Sequence, residues 1–128
     1  MGYYSEVAIA IRKRDAKRLL EEVAKLPNDN YVKKLVERHQ EILDDIDPNP
    51  EGVQILRWYG VKWYDEFREV KYIMDFIRSL GESNYEFMRI GEDYTDIEHT
   101  GDINGNCCLY LERNICFDPE NLPLHGDY

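Results

Sequence analysis

Residues 3–12 set large β-branched side chains on alternate positions. Val7, Ile9 and Ile11 take one face, and Tyr4, Glu6, Ala8 and Ala10 take the other, which is the two-residue period of a strand. The period then lengthens. Ala16, Leu19, Leu20, Val23 and Ala24 recur at helical spacing behind Asp15, which can cap a helix. Pro27 stops that helix, and Asn28-Asp29-Asn30 turns the chain and offers a second cap. Val32, Leu35, Val36, His39, Ile42 and Leu43 form the apolar face of a second helix, so the two make a helical hairpin. Residues 44–52 read as a proline-bearing loop. Residues 53–63 are β-rich and aromatic, interrupted by Gly60, which suits a bulge or a bend. Phe67, Val70, Ile73, Met74, Ile77 and Leu80 mark a strongly amphipathic helix, with Asp65 as its cap and Gly81 as its stop. Residues 85–90 read as a third strand. Residues 107–117 read as a fourth, with Leu109, Leu111, Ile115 and Phe117 on one face. An acidic connection joins these two, and residues 119–128 read as an irregular surface tail.

Strand, helix, helix, strand, helix, strand, strand is not a strict βαβα alternation, and no glycine-rich fingerprint follows a strand. The order predicts an α+β fold: a four-stranded, largely antiparallel sheet with about three helices on one face. A ferredoxin-like variant is the nearest named architecture, although its usual order is strand-helix-strand-strand-helix-strand. At 128 residues the expectation is one domain over positions 1–128.

Charge divides the chain unevenly. Residues 1–40 carry nine Lys/Arg against six Asp/Glu, whereas residues 41–128 carry seven against twenty, for a net charge of -10. Such a field repels phosphate backbones and anionic membranes and attracts cations or basic protein surfaces. Direct nucleic-acid binding is therefore not expected. No apolar stretch approaches the ~18 residues of a membrane span. The first six residues carry no basic region or small-residue cleavage site, and Glu6 stands where myristoylation requires Ser or Thr. Cys107, Cys108 and Cys116 are an odd set, so at least one lacks an intramolecular partner, which fits a reducing compartment. The expectation is a cytoplasmic protein, with a homodimer possible through an exposed edge or aromatic patch.

Candidate chemistry is sparse. The segment 91–99 gathers Glu92, Asp93, Asp96, Glu98 and His99. Were it extended, Glu92, Asp96 and Glu98 would share a face and His99 would point oppositely. Converging carboxylates suit hard cations, so a metal-dependent hydrolase using Glu92, Asp93, Asp96 and His99 is one reading. A solvated acidic rim and a partner-facing acidic surface are the others. Residues 102–106 resemble a calcium loop, but the glycine comes too early, and Arg113 stands where a bidentate Glu is required. A zinc site from the three cysteines and His125 would need an atypical spacing. Cys108 or Cys116 with His99 or His125 lacks any nucleophile elbow. No catalytic residue, metal or cofactor is assigned. The aromatic cluster Trp58, Tyr59, Trp63, Tyr64, Phe67 and Tyr72 either packs the sheet against the helices or, with Arg57 and Lys62, cradles a nucleotide-like ligand.

Four strings resemble a family of short uncharacterised proteins encoded by bacteriophages and prophages. They are Tyr3-Tyr4-Ser5-Glu6-Val7-Ala8, Val61-Lys62-Trp63-Tyr64, Ile73-Met74-Asp75-Phe76-Ile77, and Tyr85-Glu86-Phe87-Met88-Arg89-Ile90-Gly91-Glu92-Asp93 with the nearby Asp96 and Glu98. The resemblance implies a phage or mobile-element context and supplies no activity. With the acidity, it leads to the expectation of a non-enzymatic accessory protein. Such a protein would bind a host nucleic-acid-handling protein through a basic surface, as an anti-CRISPR-like inhibitor or modulator does. Glu92, Asp93, Asp96, Glu98, Asp102, Tyr59 and Tyr64 are the candidate partner-binding residues. The alternative is a small-molecule binder for a nucleotide signal using Arg57, Lys62 and Tyr72.

Overall fold

The structure is a computed structural model and describes residues 2–41, 50–93 and 95–103. Its elements are β1 (Ser5–Arg12), α1 (Lys13–Ala24), α2 (Tyr31–Glu37), β2 (Gln40–Glu41), β3 (Val53–Val61), α3 (Arg68–Ser79), β4 (Tyr85–Ile90) and β5 (Ile97–Thr100), with a 3-10 turn at Glu82–Asn84. The sheet order is β2-β3-β1-β4-β5, and every pairing is antiparallel. This is the α+β fold that the periodicity predicts.

β1 is the spine. Val7 lies opposite Trp58 and Arg89, Ile9 opposite Leu56 and Phe87, and Ile11 opposite Gln54 and Tyr85. Residues directly opposite across a pleated ladder share a face, so this row, Gln54 and Arg89 apart, makes one apolar surface. The helices cover it with Ala16, Leu19 and Val23 from α1, Val32, Leu35 and Val36 from α2, and Val70, Ile73, Met74 and Ile77 from α3, all in one buried cluster. Each fully buried Leu, Ile or Val removes enough apolar area from water to favour folding by about 1.5–3 kcal/mol. Trp58 adds direction to this packing, because its indole N–H donates to the Leu35 carbonyl at 2.8 Å and so ties the sheet to α2.

The helix boundaries differ from the sequence expectations for local reasons. Asp15 lies buried inside the first turn of α1, and the cap position belongs to Arg12, whose side chain makes no capping bond. Asp65 is likewise displaced as a cap. The Phe67 amide bonds the Tyr64 carbonyl at 3.0 Å, a turn that moves the start of α3 to Arg68. Asn30 does cap α2, accepting from the amides of Val32 and Lys33 at 2.8 and 3.4 Å. That helix ends at Glu37 rather than running on to Leu43. Both the amide and the ring Nδ1 of His39 engage the Val36 carbonyl, at 3.1 and 2.6 Å, and the chain then pairs with β3 as β2. His39 is half-buried with its ring edge-on to Trp58. Ile42, Leu43, the expected strand at 107–117, all three cysteines, His125 and the tail lie outside the described residues.

Gly60 does what its position suggested. Between the pairs Ser5–Val61 and Val7–Trp58, β3 has one more residue than β1, and Gly60 takes φ +62° there. The extra residue restores the alternation, so Val61 and Trp63 both turn into the core and Lys62 turns out. A Cβ at Gly60 would meet nothing within 4 Å. The cost of replacing this glycine is therefore backbone strain alone. Gly60→Ala is expected to lower unfolding free energy by about 1 kcal/mol, and Gly60→Asn by less, both at unchanged urea m-value. A neutral Gly60→Ala would contradict the bulge.

Candidate functional site

The acidic stretch is loop only in part. Ile97 lies opposite Ile90, Glu98 opposite Arg89, His99 opposite Met88 and Thr100 opposite Phe87, so β5 extends the sheet. Arg89 belongs to the helix-facing row and is only 8% exposed. Its guanidinium donates to both carboxylate oxygens of Asp96, at 3.0 and 2.6 Å, to Glu98 at 2.6 Å, and to the Ser5 hydroxyl at 3.0 Å. Charge-assisted, two-pronged contacts of this kind are strong and orienting. Tyr3 closes the cluster, with its hydroxyl donating to Asp96 at 2.7 Å and accepting from the Asp93 amide at 3.1 Å. A Cβ on Gly91 would run into that hydroxyl and the Asp96 carboxylate, so a larger residue here would have to displace the Tyr3–Asp96 contact.

The titration behaviour follows from these contacts. The Arg89 hydrogen bonds, then that of Tyr3, hold the Asp96 carboxyl down at about 2. Arg89 is correspondingly raised above its ordinary value, by Asp96 first, with burial opposing and Glu98 assisting. For Tyr3 the Asp93 amide lowers the hydroxyl's pKa. Donation to Asp96, burial and the nearby carboxylate charges outweigh it, so the net shift is upward. Asp93 is lowered by the Thr95 amide and then the Thr95 hydroxyl, at 2.9 and 2.8 Å, in a tight side-chain turn. Glu92 and Asp102 are exposed, and the Asp102 amide bonds the Glu82 carbonyl at 2.9 Å, which sets two acidic residues side by side.

The residues considered for a metal-dependent hydrolase are parted. Asp96 serves Arg89 on the helix-facing side, whereas His99 is on the other face with its Nε2 2.6 Å from the fully buried carboxylate of Glu86. Among the described residues no group of three or more His, Cys, Asp or Glu could hold a metal ion.

The residues considered for a nucleotide-like ligand are parted too. Arg57 pairs with Glu6 on the face opposite the helices and stacks on Tyr59, 4.5 Å from the ring centroid. Tyr59 itself is half exposed. Tyr64 is half-buried, with its hydroxyl accepting from the Tyr3 amide at 2.8 Å and its ring against Phe67. Tyr72 packs against the core from α3. Lys62 lies in a cleft of about 400 Å³ whose lining includes Tyr4, Tyr31, Lys34, Arg38 and Glu69 but not Arg57, Tyr59, Tyr64 or Tyr72. The linear pattern alone does not single out Arg89 or the α2 side of this cleft. The available signals were a cation in an otherwise apolar strand row and the helical spacing of residues 31, 34 and 38.

No family model, curated protein or solved structure matches the chain.

Because Asp96 is depressed in the folded state, its stabilising contribution is present in full above its ordinary value of 3.8. It is lost as pH falls from about 4 through about 2. The gap in thermal midpoint between the parent and Asp96→Asn should be widest above pH 4 and close towards pH 2. A gap independent of pH would refute the assignment.

Proposed function

We propose that the protein acts as a non-enzymatic binder, presenting the acidic β4–β5 end of its sheet to a basic surface on a nucleic-acid-handling protein and thereby inhibiting or modulating it. One observation carries this reading: the cation is inside and the carboxylates are outside. Residues 82–103 contain seven Asp and Glu against a single Arg, and all of the seven except Glu86, which is buried against His99, are exposed or half-exposed. That Arg89 is nearly buried, whereas the side chains of Asp96 and Glu98 are 35% and 47% exposed. The field that leaves this end is therefore negative even though its geometry is set by a positive charge.

Carboxylates fixed by the strand pairing and by Arg89 lose little freedom on binding, which favours a partner that already holds a matching array of Lys and Arg. Grooves that grip phosphate backbones are such arrays. The likeness to bacteriophage proteins narrows the partner further, to a host defence protein that handles nucleic acid.

Capture from host lysate tests the reading. The expected partners are nucleic-acid-binding proteins, retained at low salt, released by moderate salt and displaced by added nucleic acid. Retention should fall at least fivefold for Glu92→Lys combined with Asp102→Lys. Capture that is blank, or that salt and added nucleic acid leave unchanged, would sink the proposal.

A further inference from the structure

α2 presents two stripes. Val32, Leu35 and Val36 face the core, and along one flank run Tyr31, Lys34 and Arg38, at i, i+3 and i+7. This flank meets Tyr4 at the head of β1 and Lys62 just past β3, and together they border the cleft of about 400 Å³. Three cations line it against one carboxylate, Glu69. None of the three makes an ion pair among the described residues, in a chain whose net charge is -10. Three such cations around one cleft favour an anion there, against the overall field of the chain.

Aromatic faces accompany the cations. Tyr31 and Tyr4 are 69% and 42% exposed. The Lys34 ammonium lies 5.5 Å from the Tyr31 centroid and that of Lys62 5.7 Å from Tyr4. The backbone holds this arrangement. The bulge at Gly60 turns Lys62 outward, and the Lys62 stem crosses Gly2 so closely that a Cβ there would strike it.

We propose that this cleft binds a small organic phosphate carrying a planar ring, a mononucleotide, with the ring on Tyr31 or Tyr4 and the phosphates on Lys34, Arg38 and Lys62. The size lies within the ~300–1,000 Å³ of small-ligand pockets. Stacking and cation contacts supply the two interactions such a molecule requires. A polynucleotide is disfavoured, because a strand running beyond the cleft meets the repulsion of a chain whose net charge is -10. The site is separate from the acidic end, so either proposal can fail without the other.

ADP serves as the probe, titrated by calorimetry and by amide NMR. Binding should perturb the amides of Tyr4, Tyr31, Lys34, Arg38 and Lys62. The dissociation constant should rise at least tenfold in the Lys34→Gln/Lys62→Gln double variant and in the Tyr4→Ala/Tyr31→Ala double variant, and stay within twofold in Lys25→Gln, an exposed cation outside the cleft. All five positions are exposed, so circular dichroism should be unchanged. Pyrophosphate alone, adenosine alone and a single-stranded oligonucleotide should each bind more weakly than ADP. The proposal is overturned by no response at millimolar ADP or by responses that survive in the cleft variants. It is also overturned by pyrophosphate matching ADP, or by an oligonucleotide binding more tightly.

Discussion

The guanidinium of Arg89 lies on the helix-facing side of the sheet, where an unpartnered charge would be costly. The surrounding chain is arranged to supply it. Asp96 offers both carboxylate oxygens from just before β5, Glu98 joins from the register partner position, and Ser5 contributes from β1. Tyr3 then anchors Asp96, and Gly91 is the residue that lets the backbone pass beneath that contact. One buried cation therefore draws three separate parts of the chain to one end of the sheet. It also converts an acidic sequence into a held acidic surface, and the proposed binding role rests on that conversion.

The same electrostatic logic runs in reverse across the molecule. At the β4–β5 end a hidden cation organises exposed anions. At the α2–β3 side three exposed cations stand together with no carboxylate pairing them among the described residues. A polar protein surface usually intersperses its charges, so this separation of sign gives the two ends different chemistry. The acidic end suits a large basic surface and the cleft suits a small anion.

Elements set by local periodicity were legible in the sequence. The limits 85–90 match β4, the apolar spacing of α1 and α3 matches their buried faces, and Gly60 marks the bulge. What escaped depends on contacts far apart in sequence. Ile97-Glu98-His99-Thr100 has no apolar alternation and becomes a strand because Ile90 and Arg89 wait opposite it. Gln40-Glu41 continues a helical pattern yet pairs with β3, because His39 closes the preceding helix. Acidity and the segment 91–99 were visible, but the division of labour among its carboxylates was not, since that is decided by the face on which Arg89 emerges. The cleft was half visible. Lys62 was identified beside the aromatic cluster, whereas Tyr31, Lys34 and Arg38 come together with it only through the packing of α2 on the sheet.

Hydrogen–deuterium exchange of the parent and Arg89→Met tests the organising role of Arg89 most directly. Removing the charge while keeping the length of the side chain should expose the amides of residues 97–100 to exchange and leave those of Ile9 and Ile11 in β1 protected. Unchanged protection of residues 97–100 would show that β5 holds without Arg89, and would contradict the account.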